Sequence, residues 1–215
     1  MDFGECAQDR GGRIEAGEVN AVQIVVVDNY DSFTHNLVQA LGALGARLTV
    51  LRNRDEGLMD KDRLFRDASG VVLSPGPGVP ERAGRMPEVL TYLLRRRPDL
   101  PVLGVCLGLQ AMAESYGSAL ELVHPVHGEA SEVFHDGLGL LEGVPSPFLG
   151  GRYHSWAVAP QVGPGLRISA RSRDGTIMAV RFADSNWEGL QFHPESILTP
   201  QGPRILEAFY RRCIA

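Results

Sequence analysis

Val22-Gln-Ile-Val-Val-Val-Asp28 is an almost unbroken β-branched run that ends on an acid, and its reading decides the fold. A strand with one wet face alternates apolar and polar residues, whereas a strand covered on both faces reads as continuous apolar sequence. The run therefore predicts a central strand with helices on either side. Asp31 and Ser32, good N-cap types, follow it, and then Phe33, Leu37, Val38, Leu41 and Leu44 recur at the spacing of one helical face before Gly45 ends the helix.

The unit repeats along the chain. Arg47-Leu-Thr-Val-Leu-Arg52 and Gly70-Val-Val-Leu-Ser74 read as strands, as does Pro101-Val-Leu-Gly-Val105. The helix before the last of these turns Val89, Leu90, Leu93 and Leu94 inward, with Pro87 near its start and Pro98 after its end. Strands alternating with helices imply right-handed crossovers, so the predicted class is α/β, a doubly wound and mostly parallel sheet with helices on both faces. After about residue 117 the texture changes to short β-like runs, SEVF (131–134), AVAP (157–160), LRISAR (166–171), IMAVRF (177–182) and EGLQF (188–192), separated by Gly, Pro and Asp. These predict a small antiparallel extension. Ile205, Leu206, Phe209 and Tyr210 predict a final amphipathic helix.

With 215 residues and 44% hydrophobic content the chain can bury one sizeable core. Residues 1–20 carry too little apolar content to join it and are expected to be a loose extension, leaving 21–215 as one domain. A net charge of −5, with no basic cluster interleaved with aromatics, argues against nucleic acid as a partner. Arg95-Arg96-Arg97 ends a predicted helix, where the dipole favours cations. Cys6, Cys106 and Cys213 are too few and too scattered for a disulfide framework or a metal site, which points to a reducing cytoplasm. The sequence has neither a membrane-length apolar run nor a signal peptide's hydrophobic stretch.

Chemistry concentrates at Gly104-Val-Cys106-Leu-Gly108, where a short apolar strand runs into a helix expected from Leu109 to Tyr116. Glycines on both sides of the cysteine permit the sharp turn of a nucleophile elbow, and the helix N-terminus favours thiolate over thiol. The same residues also suit an ordinary strand-to-helix turn around a buried cysteine. A thiolate attacking an amide needs an acid–base partner, and of six histidines only His193, in Gln191-Phe-His-Pro-Glu195, brings its own carboxylate. Pro194 restricts the backbone so that Glu195 turns back to orient the ring. The tetrahedral intermediate needs N–H donors. Leu107, next after the nucleophile, supplies one, and the second is expected from Gly76 in Ser74-Pro-Gly-Pro-Gly78, a loop that follows a strand to the same sheet edge.

Gly104-Val-Cys-Leu-Gly-Leu-Gln110, Ser74-Pro-Gly-Pro-Gly78 and His193-Pro-Glu195, in their order along the chain, resemble the class I (triad) glutamine amidotransferases, whose fold is flavodoxin-like. Asp28-Asn-Tyr-Asp-Ser-Phe-Thr34, Gly151-Arg-Tyr-His-Ser155 and Gln191–Ser196 followed by Leu198-Thr-Pro-Gln-Gly202 are similar to the glutaminase components of anthranilate synthase and aminodeoxychorismate synthase. The resemblance spans residues 22–213. It implies that Cys106 attacks the glutamine side chain, that His193 relays protons and that Glu195 orients it. It also implies that Gly76, Pro77, Gly78, Gln110, Ser155 and Trp156 hold glutamine, and that ammonia passes to a chorismate-utilising synthase partner. No cofactor or metal is expected on this chain; Mg2+ is expected on the partner. Leu109 and Glu129 depart from the histidine and lysine that many relatives carry there. His154 lacks a carboxylate orienter, and a structural role is expected for it. The sequence leaves open anthranilate against para-aminobenzoate synthesis, one subunit serving both, and, more remotely, a partner-independent cysteine hydrolase or a non-catalytic binding module.

Overall fold

The computed structural model describes residues 21–214, so the expected loose extension and Cys6 lie outside the described residues. In chain order the strands are β1 (Gln23–Asp28), β2 (Arg47–Arg52), β3 (Gly70–Leu73), β4 (Val102–Val105), β5 (Leu120–Leu122), β6 (Glu129–His135), β7 (Phe148–Arg152), β8 (Trp156–Val158), β9 (Leu166–Ser172), β10 (Ile177–Phe182) and β11 (Trp187–Leu190). The helices are α1 (Thr34–Ala43), α2 (Lys61–Leu64), α3 (Met86–Arg96), α4 (Leu107–Ser115) and α5 (Gly202–Ile214).

One sheet runs in the order β2-β1-β3-β4-β11-β10-β9-β6-β7, with β5 and β8 forming a separate antiparallel pair. The first five strands in that order are mutually parallel. In β1, Val25 and Val27 face the core under α3 and α4, while Ile24 and Val26 face the core under α1 and α5. This is the burial on both faces that a continuous apolar strand requires.

Three expectations are corrected. The antiparallel part is not small, since β10, β9, β6 and β7 make up nearly half of the main sheet. The Glu188–Phe192 run is only partly a strand: it ends at Leu190 and lies parallel to β4, so it joins the two halves. Asp31 and Ser32 do not cap α1; the cap residue is Phe33, without a side-chain bond. Asp31 instead accepts from the Phe33 N–H at 2.8 Å, and Asp28 accepts from the Thr34 hydroxyl at 2.9 Å. The turn is thus organised by carboxylates from outside the helix. Gly45 does end α1, at φ +100°.

The antiparallel half curls back on the parallel half. Gly151 of β7 forms an isolated bridge with His193, just beyond β11, and the His193 N–H donates to the Gly151 carbonyl at 3.0 Å. His193 therefore sits at the seam.

Two glycine substitutions separate helix propensity from close packing. A Cβ on Gly42 would meet only Leu48 Cδ2 at 3.8 Å, whereas one on Gly108 would lie 2.2 Å from the Leu73 carbonyl oxygen of β3. Gly42→Ala should raise stability by about 0.5 kcal/mol, and Gly108→Ala should lower it by roughly 3 kcal/mol. Urea unfolding checks both, and changes of the same sign would contradict this packing.

Candidate active site

The carboxyl ends of β1, β3, β4 and β11 bring four loops to one edge, around the point where the chain order of the strands reverses between β1 and β3. The first two loops are stitched together. Asn29 donates its backbone N–H to Ser74 Oγ and its side-chain Nδ2 to the Ser74 carbonyl, both at 2.8 Å. The loop then passes so close that a Cβ on Gly76 would stand 2.5 Å from Asn29 Cβ and 2.8 Å from Leu107 Cδ2. Gly76 and Leu107 are thereby neighbours. Leu107 is the first residue of α4, where a backbone N–H has no acceptor within the helix.

Cys106 lies between β4 and α4 at φ 52° and ψ −104°, a backbone region that side chains rarely enter. Its N–H donates to the Leu190 carbonyl at 2.7 Å, which fixes the elbow to β11. The helix begins at Leu107, two residues earlier than expected, because the strained cysteine is itself the cap. Cys106 as a residue is buried, at 6% exposure.

Beside it, His193 Nδ1–H donates to Glu195 Oε1 at 2.7 Å, and both side chains are shut from solvent. Phe33 and Tyr153 hold the imidazole edge-on, with ring centroids 5.4 and 4.9 Å away. Thr199 fixes the backbone below: its hydroxyl donates to the His193 carbonyl at 2.6 Å and accepts from the Gly151 N–H at 2.9 Å. Burial draws the ring's proton affinity down, but the Cys106 sulfur and the Glu195 carboxylate outweigh it and push the pKa up to about 10. His193 Nε2 makes no hydrogen bond of good geometry.

The residues expected to hold glutamine are only partly gathered. Gln110 is buried, and its Nε2 donates to the Trp156 carbonyl at 2.8 Å. Ser155 precedes Trp156 in that segment, and its carbonyl accepts from Val123. Pro77 and Leu107 line a cavity of about 370 Å³ together with Asn29, Tyr30, Arg54 and Arg82. Gly78 points into open space at φ +84°. A larger cavity, about 900 Å³, lies against α5 away from the elbow and contains no candidate nucleophile.

His154 takes no place beside Cys106. Its Nδ1–H donates to the Trp156 carbonyl at 3.0 Å, and its Nε2 accepts from Arg152 Nε at 3.1 Å. Arg152 in turn pairs with Asp174 at 2.9 Å. Burial first, and the Arg152 cation second, lower the His154 pKa to about 4. The neutral ring is a wedge that supports the Trp156 carbonyl. Leu109 is fully buried and packs where a Cβ on Gly189 would touch it, and Glu129 is exposed at the start of β6.

Sequence reasoning missed Phe33, Tyr153, Thr199 and Gln191. Gln191 carried a signal, since it stands two positions before His193 in a near-extended segment; the aromatic cage and the Thr199 clamp carried none. Among the described residues no group of three or more His, Cys, Asp or Glu side chains is placed to hold a metal ion, and no helix is long and apolar enough to cross a membrane.

A strained cysteine elbow beside a carboxylate-bound histidine, at the edge of a doubly wound sheet, suits a thiol that works by acyl transfer. The model of the class-I glutamine amidotransferase family matches residues 25–213, and the chain belongs to that family. It is 45% identical over 194 residues to anthranilate synthase component 2 of Mycobacterium tuberculosis, covering 89% of this chain and 83% of that one. It is 40% identical over 188 residues to aminodeoxychorismate/anthranilate synthase component 2 of Bacillus subtilis, covering 86% and 94%. A solved structure from Thermoplasma acidophilum, described as belonging to a GMP synthase, shares the fold with a TM-score of 0.79 at 23% identity over 90% of this chain and 94% of that one.

The His154 wedge gives a pH test. Its folded pKa lies below the usual value, so the native state binds fewer protons than the unfolded chain and stability falls as pH drops from about 6.5 through about 4. His154→Gln should remove up to roughly 3 kcal/mol of that loss. Urea titrations at pH 7 and pH 4 measure it, and equal losses in both proteins would refute the wedge.

Proposed function

We propose that this chain is the glutaminase subunit of an anthranilate synthase, hydrolysing L-glutamine and delivering ammonia to a synthase partner that aminates chorismate. The observation that carries the reading is the His193–Glu195 pair of 2.7 Å set against the Cys106 elbow, together with kinship to curated component 2 proteins.

In the first half-reaction the Cys106 proton moves to His193 Nε2, and the sulfur attacks the side-chain carbonyl carbon of glutamine. The oxyanion forms against the N–H groups of Gly76 and Leu107, where one well-placed donor is worth roughly 3 kcal/mol. His193 returns its proton to the leaving nitrogen, the C–N bond breaks, and ammonia departs from a glutamyl thioester. In the second half-reaction His193 takes a proton from water, hydroxide adds to the thioester, and glutamate leaves as the thiol re-forms. Glu195 keeps the ring in one tautomer and stabilises its charged form throughout.

Gly76, Pro77, Gly78, Gln110, Ser155 and Trp156 hold glutamine in this reading. Both Gln110 Nε2 hydrogens are engaged, one by Trp156 and one by Gln191. Its Oε1 is left as an acceptor, suited to the substrate's α-ammonium group. The partner carries the chorismate site and its Mg2+, and the complex works in the cytoplasm, where a thiol stays reduced. A chain that also serves aminodeoxychorismate synthase is the second reading, favoured by the Bacillus subtilis relative whose name carries both activities.

Cys106→Ser should lower glutaminase activity by more than about a thousandfold. The complex of that variant with the synthase partner should still aminate chorismate when ammonium is supplied directly. Undiminished glutamine hydrolysis by the variant would end the proposal.

A further inference from the structure

Gln191 is fully buried, and both ends of its amide are engaged. Its Nε2 donates to Cys106 Sγ at 3.5 Å, and its Oε1 accepts from Gln110 Nε2 at 3.3 Å. The direction of this chain of contacts is set from one end. The Trp156 carbonyl can only accept, and it takes hydrogen bonds from both His154 and Gln110. Gln110 must therefore point its nitrogen at Trp156, which leaves the second N–H of that nitrogen facing Gln191. Only an oxygen can meet it. The nitrogen of Gln191 is thus turned onto the sulfur by a run of contacts that begins at a backbone carbonyl.

Resting on the reading of Cys106 as the nucleophile, we propose that Gln191 is a further catalytic residue, a buried N–H donor to the Cys106 sulfur whose orientation is held by Gln110. When the thiol proton passes to His193, the electron pair remains on sulfur and the negative sulfur becomes a strong acceptor for the Gln191 N–H. In the thioester the sulfur is neutral and accepts weakly. The contact therefore favours the thiolate at two moments: before attack on the amide, and when sulfur leaves as the thioester is cleaved. Its other end lies on Gln110, the residue expected to meet the α-ammonium group, so the substrate pocket and the nucleophile share one rigid amide pair. A residue that merely filled the core could be replaced by any side chain of similar volume. This one could not.

Two variants of the full-length chain test the proposal. Gln191→Met keeps the bulk without either hydrogen bond, and Gln191→Glu keeps the length and the contact with Gln110 but, when ionised, has no donor for sulfur. Each is compared with the unaltered protein by urea unfolding, by kcat and KM for glutamine, and by the rate of iodoacetamide alkylation of Cys106, located by peptide mass. The expected result is alkylation about tenfold slower at pH 7, with the rate–pH curve displaced to higher pH, and a kcat lower by about ten- to a hundredfold. KM should change by less than about threefold and unfolding midpoints should be retained. Alkylation at the original rate in either folded variant, or a raised KM with intact kcat, would overturn the proposal. If Gln191→Met fails to fold, Gln191→Glu decides alone, and failure of both to fold would also overturn it by making the residue structural. Full alkylation of Cys106 in the unaltered protein separates the two levels. Surviving glutaminase activity would refute Cys106 as nucleophile, whereas its loss beside normally reactive Gln191 variants would refute only the role of Gln191.

Discussion

The backbone of Cys106, held at φ 52° between a buried parallel strand and a helix, is the constraint on which the rest of the site depends. Such a conformation costs of order 1–3 kcal/mol, and it persists because its surroundings leave no alternative. A Cβ on Gly104 would collide with Met112 Sδ at 2.4 Å and one on Gly108 with the Leu73 carbonyl oxygen, so α4 lies against β3 and β4 at a distance that only glycine permits. The Leu190 carbonyl grips the cysteine's own N–H from the other side. The result is a thiol lifted off the sheet edge, with the first amide of a helix beside it.

The second dependency is closure. The antiparallel half of the sheet bends round until β7 meets the segment after β11, and the bridge between Gly151 and His193 is the place where it shuts. The histidine is consequently fixed through its main chain by Gly151 and Thr199, and through its side chain by Glu195, Phe33 and Tyr153. Little ring freedom remains to be lost when a substrate is bound, which is how a preorganised site lowers a barrier.

What was legible in the sequence follows from whether the signal was local. Val22–Asp28 announced a strand covered on both sides because its composition alone carries that information, and Gly45 announced the end of α1 because φ +100° favours glycine. The elbow, the His193–Glu195 pair and the Gly76 loop were readable for the same reason, each lying within a few residues of chain. The cap of α1 was misread because the carboxylate of Asp28, at the end of β1, competes for the turn. The extent of the antiparallel half was underestimated because short strands reveal their partners only through the completed sheet. Gln191 and Thr199 act across gaps of 85 and 48 residues; the place of Gln191 two positions before His193 is a local hint, but the partner of neither residue is written in its neighbours along the chain.

The proposed glutaminase reaction turns on one covalent event at one sulfur, and acid quenching of the enzyme during glutamine turnover, followed by peptide mass analysis, observes it directly. A mass increase of one glutamyl group on the peptide containing Cys106, lost on treatment with hydroxylamine, is the predicted result. Glutamine consumed at full rate with that peptide unmodified, or with the glutamyl group on Cys213 instead, would contradict it.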